Sequence, residues 1–471
     1  MITTFDENKE KSLDTLGTAD GSEPAKGPSA KEPAQHILEQ DHSQYLKGWK
    51  LFLVMSGITV VLLLAMLDIS IVGTCYGSAT HWQNLHLFQH KVYTGVAMGV
   101  GQIGVVLGPL LGGVLTEHAS WRWCFYINLP LGGLAGLFLI LIHIPDQTPK
   151  ERLTFRHVRT VYPKFDLVGF ALFAPASIML LLALSFGAGD YKWNSSQVIG
   201  LFCGAGVTAI VFVLWEHRMG NDAMIPLPMV RQRVVWASAM NFSLLMMSII
   251  VGSTFMPIYL QSVKGLSPTM SGVYLLASIG PQIVFVIISG ALVGKLGYYI
   301  TWALFASAMT TIACGLITLW NPETSLGPII GYQILLGARG AGMQMGVIAI
   351  QTALPPKMAA VGNSFIVFSQ NFLGAILITI ANIIFQETLR AKIAANIPGI
   401  SSEAAIAAGG SAEAVRALAS SGEQLQRLLE AYSTGFRNVF YMLTGIVALA
   451  FMASFGMGWV DLRKKVPPKK V

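Results

Sequence analysis

Two ionisable residues stand where the sequence leaves them little water. Asp68 ends the apolar run "VLLLAMLD", and Arg339 lies within "YQILLGARGAGMQMG", a stretch otherwise small and apolar. Burying such a charge in lipid costs several kcal/mol, so residues of this kind face a cavity or a partner. For Asp68 two chemistries are open: a carboxylate coupled to a proton or a substrate, or an acid solvated at the membrane surface. Arg339 either lines a substrate cavity together with Gln344 or snorkels to the interface from a position nearer a helix end. The cavity is the preferred reading. Other chemistry finds little support. The nine histidines show neither H-x-x-x-D nor H-E-x-x-H spacing, and the four cysteines are scattered without metal-ligand or disulfide spacing. A G-x-x-x-x-G-K-[ST] motif for ATP is absent. The residues therefore point away from an enzyme, a metal centre or a cofactor, and leave an ion gradient as the energy source.

The elements that must hold these residues are membrane spans. The chain is 53% hydrophobic and 12% charged, with a mean hydropathy of +0.59. A soluble chain carries about 25% charge. Most of this surface does not face water, and the long apolar runs exclude an outer-membrane barrel. The net charge of +7 fits basic loops beside a membrane, because no basic tract is interleaved with aromatics as nucleic-acid binding requires. Runs long enough to span fall at about 51–74, 93–116, 124–144, 166–185, 198–217, 235–260, 272–294, 301–320, 327–350, 362–385 and 435–459. The long loop 386–434, rich in Ala, Leu and Glu, predicts one or two amphipathic helices at the membrane surface. Residues 1–46 read as a disordered, cytoplasmic-type tail and not as a signal peptide.

Loop charge gives an orientation. Lys150, Arg152, Arg156, Arg159 and Lys164 mark loop 145–165 as cytoplasmic. Arg218, Arg231 and Arg233 do the same for 218–234, and Arg463, Lys464, Lys465, Lys469 and Lys470 for the basic tail 463–471. The sequon at Asn194 then falls outside, a candidate glycosylation site. Counting backwards, the span 51–74 would begin outside, although Lys47 and Lys50 flank it. An odd number of spans forces this conflict.

Four stretches carry a family resemblance. In "GQIGVVLGPLLGGVL", Gly101, Gly104, Gly108 and Gly112 share one helix face, Gly113 follows, and Pro109 loosens the hydrogen-bond ladder. A glycine face admits a close neighbouring helix. The pattern resembles the antiporter signature of the fifth span in the major facilitator superfamily. "SWRWCFYINLPLGG", with Arg122 in its aromatic turn, resembles the next loop and span of the fourteen-span drug:proton antiporter branch. "LDISIVGT" resembles that branch's first-span motif, with Ser70 in place of Thr. "GALVGKLGYY", with Gly290, Lys295 and Gly297, resembles the second copy of the superfamily's cytoplasmic loop motif. Gly294 replaces its acid, which weakens the charge relay. A later stretch supports the match: "YQILLGARGAGMQMG" resembles the glycine-rich tenth of the twelve common spans, where the family usually has a neutral residue in place of Arg339. Runs 166–185 and 198–217 fit the extra central pair of the fourteen-span branch.

Against that branch, the chain passes from Thr74 directly to "CYGSA" and rejoins the pattern at "KVYTGVAMG", Lys91 to Gly99. The resemblance implies that spans two, three and four are missing. Three is odd, so their loss also accounts for the orientation conflict. The expected fold is an all-α polytopic bundle of about eleven spans, with an incomplete N-terminal half (47–144), a linker and central pair (145–234) and a complete C-terminal half (235–462).

The resemblance implies proton-coupled efflux of small amphipathic organic compounds, such as drugs, toxins or secondary metabolites, and is closest to fungal toxin pumps. Asp68 would couple protons, Gly108 and Pro109 would form the hinge, and Arg339 and Gln344 would face the substrate. The expected partners are the substrate, protons and the bilayer, with no nucleic acid. The expected form is a monomer in the plasma membrane, with an internal membrane as the alternative. Competing readings are uptake of siderophores or amino acids, and a truncated chain that does not transport. A half bundle lacking three helices cannot close a central path and would turn polar faces to lipid.

Overall fold

The computed structural model describes residues 111–120, 122–127, 129–130, 133, 166–189, 191–220, 223–409 and 411–463. Asp68, Gly101, Gly104, Gly108, Pro109, the junction at 75–92, residues 1–46 and residues 464–471 lie outside the described residues.

Within the described residues the chain is helical. In a bilayer, every backbone N–H and C=O must be bonded inside its own segment, and long apolar helices do this. The helices that matter to the site and its surroundings are α1 (Leu167–Ala188), α2 (Ser196–Met219), α3 (Arg233–Ile258), α4 (Pro268–Leu296), α5 (Tyr299–Ile317), α6 (Leu326–Leu336), α7 (Met345–Ala353), α8 (Pro356–Asn396), the short α9 (Ser402–Ala408) and α10 (Ala412–Ala417), and α11 (Gly422–Ser454). Seven of the described helices are long and apolar enough to cross a membrane. An eighth crossing is α6 and α7 in series, joined by a 3-10 segment at Gly337–Gly342. Local chemistry sets the ends. Asp166 caps α1 through Gly169 N at 2.7 Å, and Ser267, followed by Pro268, caps α4 through Met270 N at 3.3 Å. Gly297 stops α4 with φ of +82°, a conformation a side chain resists.

The core is the interior of the 233–454 bundle. Helix α3 packs on α8 and α11, α5 packs on α11, and the 3-10 segment is wedged between α4 and α5. Phe255, Tyr259, Trp320, Phe436 and Phe440 form a fully buried aromatic cluster, with Trp320 stacked on Phe436 at 5.6 Å. The α1–α2 hairpin docks through α1 on α8, where Phe173 meets Phe368 and Phe372 at 5.0 and 5.3 Å.

Loops meet only across the same face in these contacts, as strict alternation of spans requires. On one face, Lys264 Nζ donates to the carbonyls of Pro322 and Thr324, and Ser262 donates to the Gly409 carbonyl. Burial pulls the Lys264 ammonium below its ordinary range, partly offset by the charge of Glu323. On the other face, the Leu462 N–H donates to the Gly297 carbonyl and Tyr299 OH to the Met457 carbonyl.

The 386–434 segment does contain two short helices, α9 and α10. Nearly half of it, however, belongs to α8 and α11, which run on past the apolar stretches. The connection between those two helices is 397–421. Leu389, Ile393, Leu428 and Tyr432 continue the buried core into this extension. Packing between the helices, and not the lipid, holds these extra turns.

Candidate functional site

The span 326–353 breaks at its middle. Its central sequence, Gly337-Ala338-Arg339-Gly340-Ala341-Gly342, holds three poor helix formers, so the α-helix there is weak. The segment winds instead as 3-10, with a repeat of three residues. Gly337 and Gly340 therefore stack on one side, and that side lies on the α4 backbone. A Cβ at Gly337 would sit 2.8 Å from the Ser278 carbonyl oxygen, and one at Gly340 would sit 2.1 Å from that of Gln282. A Cβ at Gly342 would sit 2.8 Å from the side chains of Leu245 and Ala306. Only glycine permits this approach.

Arg339 is held inside this break with 4% of its surface exposed. Its Nε donates to Gln282 Oε1 at 2.8 Å and its Nη1 to the Ser248 carbonyl at 3.0 Å. Gln282 is fixed in turn by Nε2 donating to Met343 Sδ at 3.5 Å. The Gly252 position of α3 faces the same guanidinium, leaving it room. Both acceptors are neutral, so among the described residues the charge is solvated but not cancelled. Arg339 lies roughly 20 Å from either end of its span, beyond the reach of an arginine stem. Snorkelling is thereby excluded. Insertion scales charge about 3 kcal/mol for such a residue at mid-membrane. Gln333, earlier on the same span, is fully buried, and neither side-chain atom has a partner among the described residues. The sequence reading passed over Gln333, which an apolar run makes inconspicuous. Gln344 caps α7, is half-buried and makes no side-chain hydrogen bond among the described residues. The structure shows no contact joining it to Arg339.

The other expected residues are dispersed. Gly112 is half-buried with open space at its Cβ position, whereas a Cβ at Gly113 would sit 2.6 Å from the Pro268 carbonyl oxygen. The end of the glycine-signature helix, residues 111–118, thus touches the start of α4. Beside it, Glu117 Oε2 accepts the Thr269 N–H at 3.0 Å. Hydrogen bonds from Thr269 hold its carboxyl below the ordinary glutamate range. A helix N-terminus favours such an anion. Glu117 was not singled out from sequence, where an acid next to a span end carries no sign of its partner. Arg122 is exposed in the turn before a short helix at Trp123–Tyr126. Asn194 is exposed in the tight α1–α2 turn. Gly290 and Lys295 are exposed, and Gly297 is clamped against Asp461 and Arg463, which pair at 2.9 Å. The acid beside this loop is thus Asp461, from the segment after α11, where the motif position itself holds Gly294.

A third polar centre lies between helices. Asn241 Nδ2 donates to Ser307 Oγ, the Ala450 carbonyl and Ser454 Oγ at 3.1, 3.0 and 2.8 Å. It ties α3, α5 and α11 together. Among the described residues, no group of three His, Cys, Asp or Glu side chains could hold a metal.

Helices of this kind, with a broken span around a buried charge, are the build of a secondary transporter. The family model for the Major Facilitator Superfamily matches residues 51–379. The chain belongs to this superfamily. Its relatives include the "MFS-type transporter calB" of Penicillium decumbens, 51% identical over 381 residues, covering 80% of this chain and 68% of the relative. The "MFS-type transporter pigP" of Monascus ruber is 47% identical, covering 80% of this chain and 65% of the relative. The "Efflux pump mokI" of Monascus pilosus is 45% identical, covering 79% and 70%. The chain therefore spans about two thirds of the length of these relatives. The expectation of a major-facilitator helical bundle resembling fungal efflux pumps is borne out. The chain is a multi-pass membrane protein of a transporter family and not an enzyme.

Proposed function

We propose that this chain derives from a proton-coupled exporter of small amphipathic organic compounds, acting as a monomer in the plasma membrane. The observation that carries this reading is the broken span. A polar, glycine-packed discontinuity at mid-membrane is where transporters of inverted-repeat design hold their cargo. Relatives named as an efflux pump support the outward direction. Asp68 is proposed as the proton-coupling carboxylate, Gly101, Gly104, Gly108, Pro109 and Gly112 as the sliding face of the fifth span, and Gln344 as a cavity residue. The test is proton antiport in everted membrane vesicles. Addition of a hydrophobic substrate dye should dissipate an imposed pH gradient, and Asp68→Asn should abolish that response. A response unchanged in Asp68→Asn would remove Asp68 from the mechanism.

A second reading has its own support. The matched part of the chain covers only about two thirds of its relatives, and the loop-charge conflict calls for an odd number of absent spans. We propose that spans two to four are missing between Thr74 and Lys91, and that this polypeptide alone does not transport. Sequencing the transcript across Thr74 to Tyr93 tests this. Extra coding sequence there for three apolar spans would restore a complete first half. A contiguous transcript whose product transports would refute the second reading.

A further inference from the structure

We infer that Arg339 is an anion receptor, and that the cargo is an amphipathic acid whose carboxylate supplies the missing counter-charge. The inference rests on the transport reading above and narrows its substrate class. Guanidinium carries five N–H donors and cannot be deprotonated in practice. Two of these donors are spent on Gln282 and Ser248. Nη2 and the second N–H of Nη1 have no partner among the described residues. Gln282 and the Ser248 carbonyl orient the group without neutralising it, which is the preorganisation a binding site needs and a structural ion pair does not.

No acid among the described residues is placed to pair with it. Glu117, Asp166, Glu216, Glu323 and Asp461 sit at span ends or in loops, and the remainder fall between Glu387 and Glu430, in or next to the 386–434 segment. Among the described residues the groups facing Arg339 are neutral: Gln282 (itself bonded to Met343), Ser248 and Gly252 from α3, and Cys314 from α5. A mid-membrane cation in neutral surroundings attracts an anion strongly, because the low dielectric does not screen it. Arginine matches a carboxylate through two parallel N–H···O bonds. Gln333, buried on the same span with both amide atoms unpartnered, adds a donor and an acceptor for a polar group along the cargo. Leu245 and Ala306, which face Gly342 of the same break, suit an apolar body.

The test uses the full chain in detergent micelles and two probes, 11-(dansylamino)undecanoic acid and its methyl ester. Dansyl fluorescence gives the affinity for each at neutral pH. The expected result is that the acid binds about tenfold or more tightly than the ester. Arg339→Gln should bind both at the affinity of the ester, and Arg339→Lys should keep part of the preference. Gln282→Glu places a carboxylate on Nε, so it should also erase the preference. That variant keeps the test decisive if Arg339→Gln does not fold. Equal binding of acid and ester by the unaltered chain, or a preference that survives in Arg339→Gln, overturns the inference while leaving the transport reading intact. Saturable binding of neither probe overturns both.

Discussion

The closeness of the broken span to α4 makes Gly340→Ala the sharpest perturbation of this fold. A methyl group there would lie 2.1 Å from the Gln282 carbonyl oxygen, 2.9 Å from its carbon and 3.1 Å from its Cα. All three are backbone atoms, so no side chain can swing aside. Ordinary contact begins near 3.4 Å, so the two segments must part by roughly 1 Å. The same shift strains the 2.8 Å bond from Arg339 Nε to Gln282. Overpacking of this kind costs about 2 kcal/mol, which corresponds to a fall in Tm of roughly 4–8 °C. The assay is thermal unfolding of the purified chain in detergent, followed by tryptophan fluorescence. Gly331→Ala is the control, because its Cβ meets nothing within 4 Å on the exposed side of α6. It should melt at or slightly above the parent temperature, since alanine favours helix over glycine. If Gly340→Ala melts within about 1 °C of Gly331→Ala, the close-packed break is wrong.

Further outcomes follow from the other centres. Replacing Asn241 with Leu removes the donor shared by Ser307, Ala450 and Ser454 and should cost about 1 kcal/mol, read as a lower Tm; an unchanged Tm refutes the tie. Asp166 illustrates a pH effect. Burial pushes its carboxyl up, but donors from Gly169, Trp215 and Met224 outweigh this and leave it below the ordinary range. A depressed pKa means the stabilisation is present above the unfolded-state value and is lost as pH falls through the folded-state value. Amide exchange at Gly169 and Met224 should therefore stay slow until the solution is more acidic than ordinary aspartate titration, and should be fast at neutral pH in Asp166→Ala. Glu117→Gln should speed exchange of the Thr269 amide. The parent should show that acceleration only below the ordinary glutamate range, because its pKa is lowered.

Much of the frame was legible because the bilayer enforces it. Apolar runs must be helices, and Ser195, Ser267 and Gly297 announce where α2 begins and where α4 starts and stops. The depth of Arg339 could be read from its distance to both ends of the run. Its surroundings could not. The 3-10 winding depends on glycine contacts with α4 and α5, and nothing local to Gly337–Gly342 names Gln282 or Ser248 as partners. The extra turns of α8 and α11 were missed for a related reason. Glu387, Arg390 and Lys392 end the apolar pattern, but mutual packing of Leu389, Ile393 and Leu428 continues the helix. The partnership of Gly297 with Asp461 and Arg463 joins segments distant in sequence, and charge alone pointed only to a basic tail. The residues of the signature helix before Leu111 lie outside the described structure, so their roles stay as proposals.

The continuous α8–α11 pair has a mechanical consequence. At 1.5 Å per residue, the 41 residues of α8 extend about 60 Å, twice the roughly 30 Å of hydrocarbon. Helices α9 and α10 crown that projection, and Tyr432 OH bonds the Ala405 carbonyl there. A stiff rod gripped at the midplane acts as a lever. Rocking of the 233–454 bundle by about 10° would carry its tip through roughly 5 Å or more. Spin labels on the crown would read that swing as a distance change, far from the cargo and without touching the path it travels.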